Sequence, residues 1–230
     1  MKKLFFSCEH GGNQIPPEFK KLFTPYKTLL NSHRGYDIGI LDVFKKFTNE
    51  FDAEKFFSEK SRLLIELNRS PHHKNLFSEI TKSLNKETKK YIVDKYYKPY
   101  RTEVESRIEK FIKKKINVVH ISFHSFTPEL DGKVRNTDIG LLYDPKSEQE
   151  KEFCRRWKEE IVTLNRKLKV RFNYPYLGIA DGFTSFLRKK FGYKFYSGIE
   201  LEINQKLLKN KSAMNQTTRL LIDSFMKVEI

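Results

Sequence analysis

The feature that most restricts this chain is a set of seven short apolar runs, at residues 3–8, 53–58, 62–67, 117–123, 139–143, 170–173 and 198–203. Each has the length of a buried strand and falls far short of a membrane span. Between them lie stretches with apolar residues at the three- and four-residue intervals of a helix, at 38–51, 90–115, 149–168 and 182–190, with a last one at 213–226. Strands alternating with amphipathic helices pack as a largely parallel or mixed sheet between helical layers, and such folds bind ligands beyond the strand ends. The expected class is therefore α/β. No repeat and no Gly/Ser/Pro-rich linker divides the sequence, so residues 1–230 are read as a single domain.

Composition narrows the setting. The chain is 38% hydrophobic, but its 20 Phe bury much area per residue, so a core forms without staples. Cys8 and Cys154 are far apart and lack the spacing of a disulfide framework or a thiolate zinc knuckle, and they are read as buried, idle thiols. The N-terminal apolar run is shorter than a signal peptide requires and reads as a first strand. A cytoplasmic location without membrane contact is the expectation. The net charge of +16 invites a nucleic-acid partner, yet the lysines at 86–98 and 110–115 are mixed with Glu in helical stretches, the pattern of a solvated face. Nucleic acid is not the expected ligand, and the oligomeric state is not specified.

Chemistry should cluster where unusual polar residues end the apolar runs. His10-Gly11-Gly12-Asn13 follows the first run, Asn68-Arg69 the third and His124-Ser125 the fourth, while Glu200 and Glu202 lie within the last. Catalytic zinc takes imidazole and carboxylate donors, with three protein ligands and one open position. His10 and His124 are the natural nitrogen donors. Gly11 and Gly12 let the backbone turn and approach closely beside His10, and His120 is read as a supporting or core histidine on the same face as His124. Asn13 stands where a carboxylate would suit a metal, so the third ligand is sought in His33-Arg34-Gly35-Tyr36-Asp37. Asp37 is the first choice and His33 the second, the competing role of Asp37 being to cap a helix from Ile38.

Arg62 and Arg69 present guanidiniums suited to carboxylates or to an oxyanion, although Arg62 could equally pair with Glu66. Glu202 sits in a near-continuous apolar strand, where burial raises a carboxyl toward the range of a general base. Glu200, two residues away on the same face, is its rival.

Taken together, Ser7-Cys8-Glu9-His10-Gly11-Gly12-Asn13, His33-Arg34-Gly35-Tyr36-Asp37-Ile38-Gly39, Ser61-Arg62 through Asn68-Arg69, His124-Ser125 and Gly198 through Gln205 resemble the N-formylglutamate amidohydrolase family over roughly residues 4–205. That resemblance implies a three-layer α/β/α fold with a mixed central sheet, like that of the zinc carboxypeptidases, and hydrolysis of an amide by metal-activated water. It further implies that Arg62 polarises the scissile carbonyl, that Asn68 and Arg69 hold a substrate carboxylate, with Ser125 beside them, and that Glu202 activates water. The expected metal ligands are His10, Asp37 and His124 around one zinc ion. The expected activity is hydrolysis of an N-formyl or N-acyl amino acid. Its rivals are a carboxypeptidase-like hydrolase of peptides or cell-wall fragments and an inert basic binding protein.

Overall fold

In the computed structural model, which describes residues 2–228, the strands in chain order are β1 (Lys2–Cys8), β2 (Ala53–Phe57), β3 (Asn117–Phe126), β4 (Glu129–Leu130), β5 (Lys133–Val134), β6 (Ile139–Leu142), β7 (Val170–Phe172) and β8 (Tyr196–Asn204). The helices are α1 (Lys20–Phe23), α2 (Lys27–Leu30), α3 (Ile40–Thr48), α4 (Lys86–Ile92), α5 (Lys98–Ile112), α6 (Glu148–Leu164), α7 (Phe183–Phe191) and α8 (Lys211–Met226). Six strands make a mixed sheet in the order β2-β1-β3-β8-β6-β7, and β4 and β5 form a separate hairpin. The first four of that order run parallel, and β6 enters antiparallel to β8.

Alternation along β3 and β8 divides the molecule into two unlike halves. Val119, Ile121, Phe123, Ile199, Leu201 and Ile203 join the main apolar cluster, under α3, α6 and α8. The residues between them, His120, Ser122, His124, Glu200 and Glu202, therefore face the other side. There α5 and α7 pack over a smaller cluster of Phe5, Val118, Phe183, Leu187 and Tyr196. Both strands are buried along nearly their whole length, so the polar row is enclosed rather than solvated. The result is the expected three-layer arrangement with a mixed central sheet.

The run at 62–67 does not form a strand. It is a series of turns, and Leu63, Leu64, Ile65 and Leu67 enter a third cluster with Phe19, Phe23, Ile80, Ile92 and Tyr97. Its backbone is satisfied locally: Ser61 accepts from the Leu63 and Leu64 amides through its hydroxyl and carbonyl, and Ser78 donates to the Leu63 carbonyl. A short buried apolar run has the same pattern whether it joins a sheet or packs as coil, so periodicity alone misassigns it. The long helical stretch expected at 90–115 begins earlier, at Lys86 behind an Asn85 cap, and passes through a π-helical turn, Val93–Tyr97, before α5. The solvated lysines pair along their helices, as Lys90 and Lys98 do with Asp94 and Lys113 does with Glu109.

The main cluster is built around aromatic edges. Phe225 is fully buried and meets Phe6, Phe47, Phe51, Phe153 and Trp157 at ring separations of 5.0–6.0 Å. Phe225→Ala is expected to cost about 3–5 kcal/mol, read as a lower urea midpoint with an unchanged denaturant slope.

Candidate active site

The site gathers at the carboxyl ends of β1, β3 and β8, where the polar row of the sheet meets the loops. His10 lies two residues beyond β1, and its carbonyl accepts the Asp37 amide at 3.0 Å. The glycines after it are required by closeness. A side-chain carbon on Gly12 would lie 2.5 Å from the Glu59 carbonyl oxygen, and one on Gly11 would lie 2.9 Å from that of Ser58. His124 is carried near the end of β3, in register with Glu202 on β8. The two imidazoles stand 5.0 Å apart between centroids, and both are buried.

Each imidazole is held from behind by a carboxylate. His10 donates through Nε2 to Glu66 Oε1 in a short contact. His124 Nε2 lies 2.9 Å from the Ser122 hydroxyl, which in turn donates to Glu9 Oε2 at 2.6 Å. A proton on each Nε2 leaves each Nδ1 with its lone pair, and both Nδ1 atoms face Asp37 Oδ2, at 3.5 Å for His10 and 3.1 Å for His124. Asp37 is fixed in turn by the Ser125 amide at 3.1 Å on Oδ2 and by Arg62 at 3.1 Å on Oδ1. It does not cap a helix: α3 begins at Ile40 behind Gly39, whose φ of +79° glycine tolerates without cost.

These residues fit a divalent metal. His10, Asp37 and His124 place one donor atom each within 4.8 Å of one another, an N₂O set of the catalytic zinc type. His10 Nδ1 is buried and lacks a hydrogen-bond partner. The charge balance points the same way. Glu9, Asp37 and Glu66 are buried carboxylates whose pKa values are lowered: burial raises each, but His124 and Ser122 act on Glu9, His10, His124 and Arg62 on Asp37, and Arg62 and His10 on Glu66. Three carboxylates against the one guanidinium of Arg62 leave two negative charges in direct contact when both imidazoles are neutral, the complement of a divalent cation. Without one, a proton takes the place: burial disfavours charge on His124, but Asp37, Glu202 and Glu9 outweigh it and push its pKa up to about 10.

A cavity of about 140 Å³ opens beside this group, lined by Asn68, Arg69, Ser125, Tyr176, Leu177, Asp181, Glu200 and Glu202 as well as by Arg62 and the three candidate ligands. The two glutamates differ. Glu200 Oε1 accepts from the Thr184 hydroxyl at 2.7 Å, whereas Glu202 Oε2 is buried with no partner. Burial, helped by the charges of Asp37 and Glu200, lifts the Glu202 carboxyl to about 8. Arg69 donates to the Asp181 carbonyl, and Asn68 accepts the Phe183 amide at 2.7 Å. The Ser125 hydroxyl is taken up by the Ile38 carbonyl and Gln205.

Of the residues singled out from the sequence, His10, Asp37, Arg62, Asn68, Arg69, His124, Ser125, Glu200 and Glu202 all come to this cavity. His33 does not. It is exposed and lines a neighbouring groove with Arg34 and Lys82. His120 is a core residue, bonded to Ser7 and Tyr196, and burial lowers its pKa to about 4. Glu66, considered beforehand only as a partner for Arg62, also grips His10; the signal was a carboxylate within a buried run. Arg101 was missed. Its buried guanidinium stacks 4.1 Å from the Phe183 centroid and donates to the carbonyls of Leu67 and Arg69, so the Asn68-Arg69 segment is held by a side chain instead of by a strand.

The model of the family described as N-formylglutamate amidohydrolase matches residues 2–209. No curated protein matches the sequence at a significant level. Among solved structures, a gene product of Agrobacterium tumefaciens is similar with a TM-score of 0.82 at 24% identity, over 99% of this chain and 90% of that one. An N-formylglutamate amidohydrolase from Ralstonia eutropha is similar with a TM-score of 0.69 at 14% identity, over 99% and 95%. At these identities the structures speak for the fold.

Glu66→Gln keeps the shape but removes the carboxylate behind His10. Zinc affinity measured by competition with a chromophoric chelator is expected to fall about 10- to 100-fold; an unchanged affinity would separate Glu66 from metal binding.

Proposed function

The chain belongs to the N-formylglutamate amidohydrolase family, and from that membership we propose that it is a zinc-dependent hydrolase of small N-formyl or N-acyl amino acids. The observation that carries the proposal is the pairing of the buried His10, Asp37 and His124 group with a neighbouring glutamate, Glu202, whose carboxyl has a free oxygen. His10, Asp37 and His124 would hold the ion. Bound there, a zinc ion supplies Lewis-acid polarisation of a carbonyl and a water of lowered pKa.

The other roles fall to the protein's own groups. Glu202 takes the proton of the attacking water at its free Oε2 and passes it to the leaving amine, and its raised pKa matches proton exchange near neutrality. Arg62, pinned between Glu66 and Asp37, keeps a fixed positive charge at the cavity wall, where it stabilises the oxyanion. Arg69 lines the cavity with a guanidinium that meets a backbone carbonyl instead of a carboxylate, which leaves charge for a substrate carboxylate. Asn68 orients the same segment, and Ser125 braces Asp37. The small cavity favours a small amide over a polymer. No helix among the described residues is long and apolar enough to cross a membrane, and we take the whole chain to act as one catalytic domain in the cytoplasm.

Formate release from N-formylglutamate is the test. Chelation is expected to abolish it and added zinc to restore it, while full activity in a metal-stripped His10→Ala variant would sink the proposal. Glu202→Gln should lower kcat by about 10²–10⁴-fold.

The same variant carries a stability signature. In the metal-free protein, Glu202 binds its proton up to about pH 8, against an ordinary 4.5. Between those values the folded state holds a proton that the unfolded chain has released, so stability falls as pH rises. Glu202→Gln should therefore gain on the wild type across that window, by at most about 1.4 kcal/mol per pH unit, in denaturation of the metal-free proteins at pH 5 and pH 8.

A further inference from the structure

One wall of the cavity is a loop carrying Tyr176, Leu177, Ala180 and Asp181, and a guanidinium meets each end of it. Arg69 reaches the Asp181 carbonyl at one end. At the other end lies Arg135, just after the β4–β5 hairpin, a residue that neither the sequence pattern nor the family resemblance singled out. Its guanidinium rests 5.3 Å from the Tyr176 centroid and 5.8 Å from that of Phe126.

The position is firmly built. The Arg135 amide donates to the Pro128 carbonyl at 2.8 Å, and its own carbonyl accepts from Thr137 at 2.9 Å and from the Asn204 side chain at 3.4 Å. Asn204 stands two residues beyond Glu202 on β8, and Phe126 two residues beyond His124 on β3, so Arg135 is tied to the strand ends that carry the site.

Its charge is also uncommitted. Arg62 is held by Asp37 and Glu66, and Arg34 by Glu79. Among the described residues no carboxylate pairs with Arg135; its guanidinium meets two rings and the Tyr176 hydroxyl. A guanidinium carries five N–H donors, so one that spends a donor on a hydroxyl keeps an edge that binds a carboxylate through two parallel hydrogen bonds. Tyr176 lines the cavity, and the contact with its ring sets the arginine beside that wall.

We propose that Arg135, seated on Tyr176 and Phe126, is a specificity-determining residue that binds a second carboxylate of the substrate, while Arg69 takes the first. The inference deepens the hydrolase reading and rests on it. The substrate it selects is an N-acyl amino acid with an acidic side chain, and the loop between the two arginines sets the separation of the two carboxylates.

The experiment compares N-formylglutamate with N-formylglutamine, which has the same shape without the side-chain charge, in zinc-loaded wild type, Arg135→Met and Arg135→Lys. Wild type should prefer the glutamate. Arg135→Met should lower kcat/KM for it about 10- to 100-fold, through KM, and leave the glutamine within about threefold, while Arg135→Lys restores part of the preference. Equal losses on both substrates, or no loss on either, overturn the assignment. A second reading needs no turnover: calorimetric binding of N-formylglutamate to Glu202→Gln should weaken by a similar factor when Arg135→Met is added. Unchanged binding overturns the role of Arg135 and leaves the hydrolase reading standing. A wild type that neither binds nor cleaves N-formylglutamate overturns the hydrolase reading, and the role of Arg135 with it.

Discussion

The surplus of buried negative charge around His10 and His124 is the constraint on which the rest of the site depends. Isolated buried carboxylates either take up protons or find partners, and here each of three has found them. Glu9 accepts from Ser122 and Tyr100, Glu66 from His10, Arg62 and the Asn68 amide, and Asp37 from Arg62 and the Ser125 amide. Those partners come from the end of β1, from β3, from the turns after β2 and from α5. The charge cluster therefore ties together the parts of the chain that the apolar clusters leave separate. Arg62 meets two of these carboxylates at once, so losing it would remove the cation that both share.

The sheet makes this possible by having one polar face that is nevertheless enclosed. Odd-numbered residues of β3 and β8 supply the apolar side against α3, α6 and α8. Even-numbered ones supply a row running from His120, through the supporting Ser122, to His124, with Glu200 and Glu202 alongside. The whole row is buried, most completely at His120 and Ser122, and the core histidine and the cavity residues differ chiefly in their partners. His120, with only a hydroxyl on each side, loses basicity. His124, four residues on and facing Asp37, gains it. One strand thus carries two imidazoles with opposite tendencies.

Much of this was legible in the sequence. Six of the seven apolar runs are strands of the central sheet, and His10, Asp37, His124 and Glu202 meet as their positions at strand ends and at a helix entry suggested. What was not legible was support that comes from distant side chains. Arg101 lies in a helix of mixed charge, where nothing local distinguishes it from a solvated cation, yet it holds the Leu67 and Arg69 carbonyls. Tyr176 and Arg135 sit in loops without periodicity and come together only through the third dimension. The misread run at 62–67 shows the converse: its apolar content was right, but its destination was a second cluster outside the sheet.

The four carboxyl groups nearest the imidazoles differ in what meets their oxygens. Three have donors on their oxygens and stay ionised well below neutrality. Glu202 has a buried oxygen with no donor and lies near the charges of Asp37 and Glu200, so burial leaves it protonated until about pH 8. Environments that push neighbouring acids apart in this way give them different protonation states at one pH. Thr184 adds to the contrast, because its hydroxyl engages Glu200 Oε1, whereas the buried Glu202 Oε2 has no partner. The register that sets His124 opposite Glu202 then brings that carboxyl beside the candidate metal ligands, and a slip of one residue in that pairing would turn its side chain into the apolar layer.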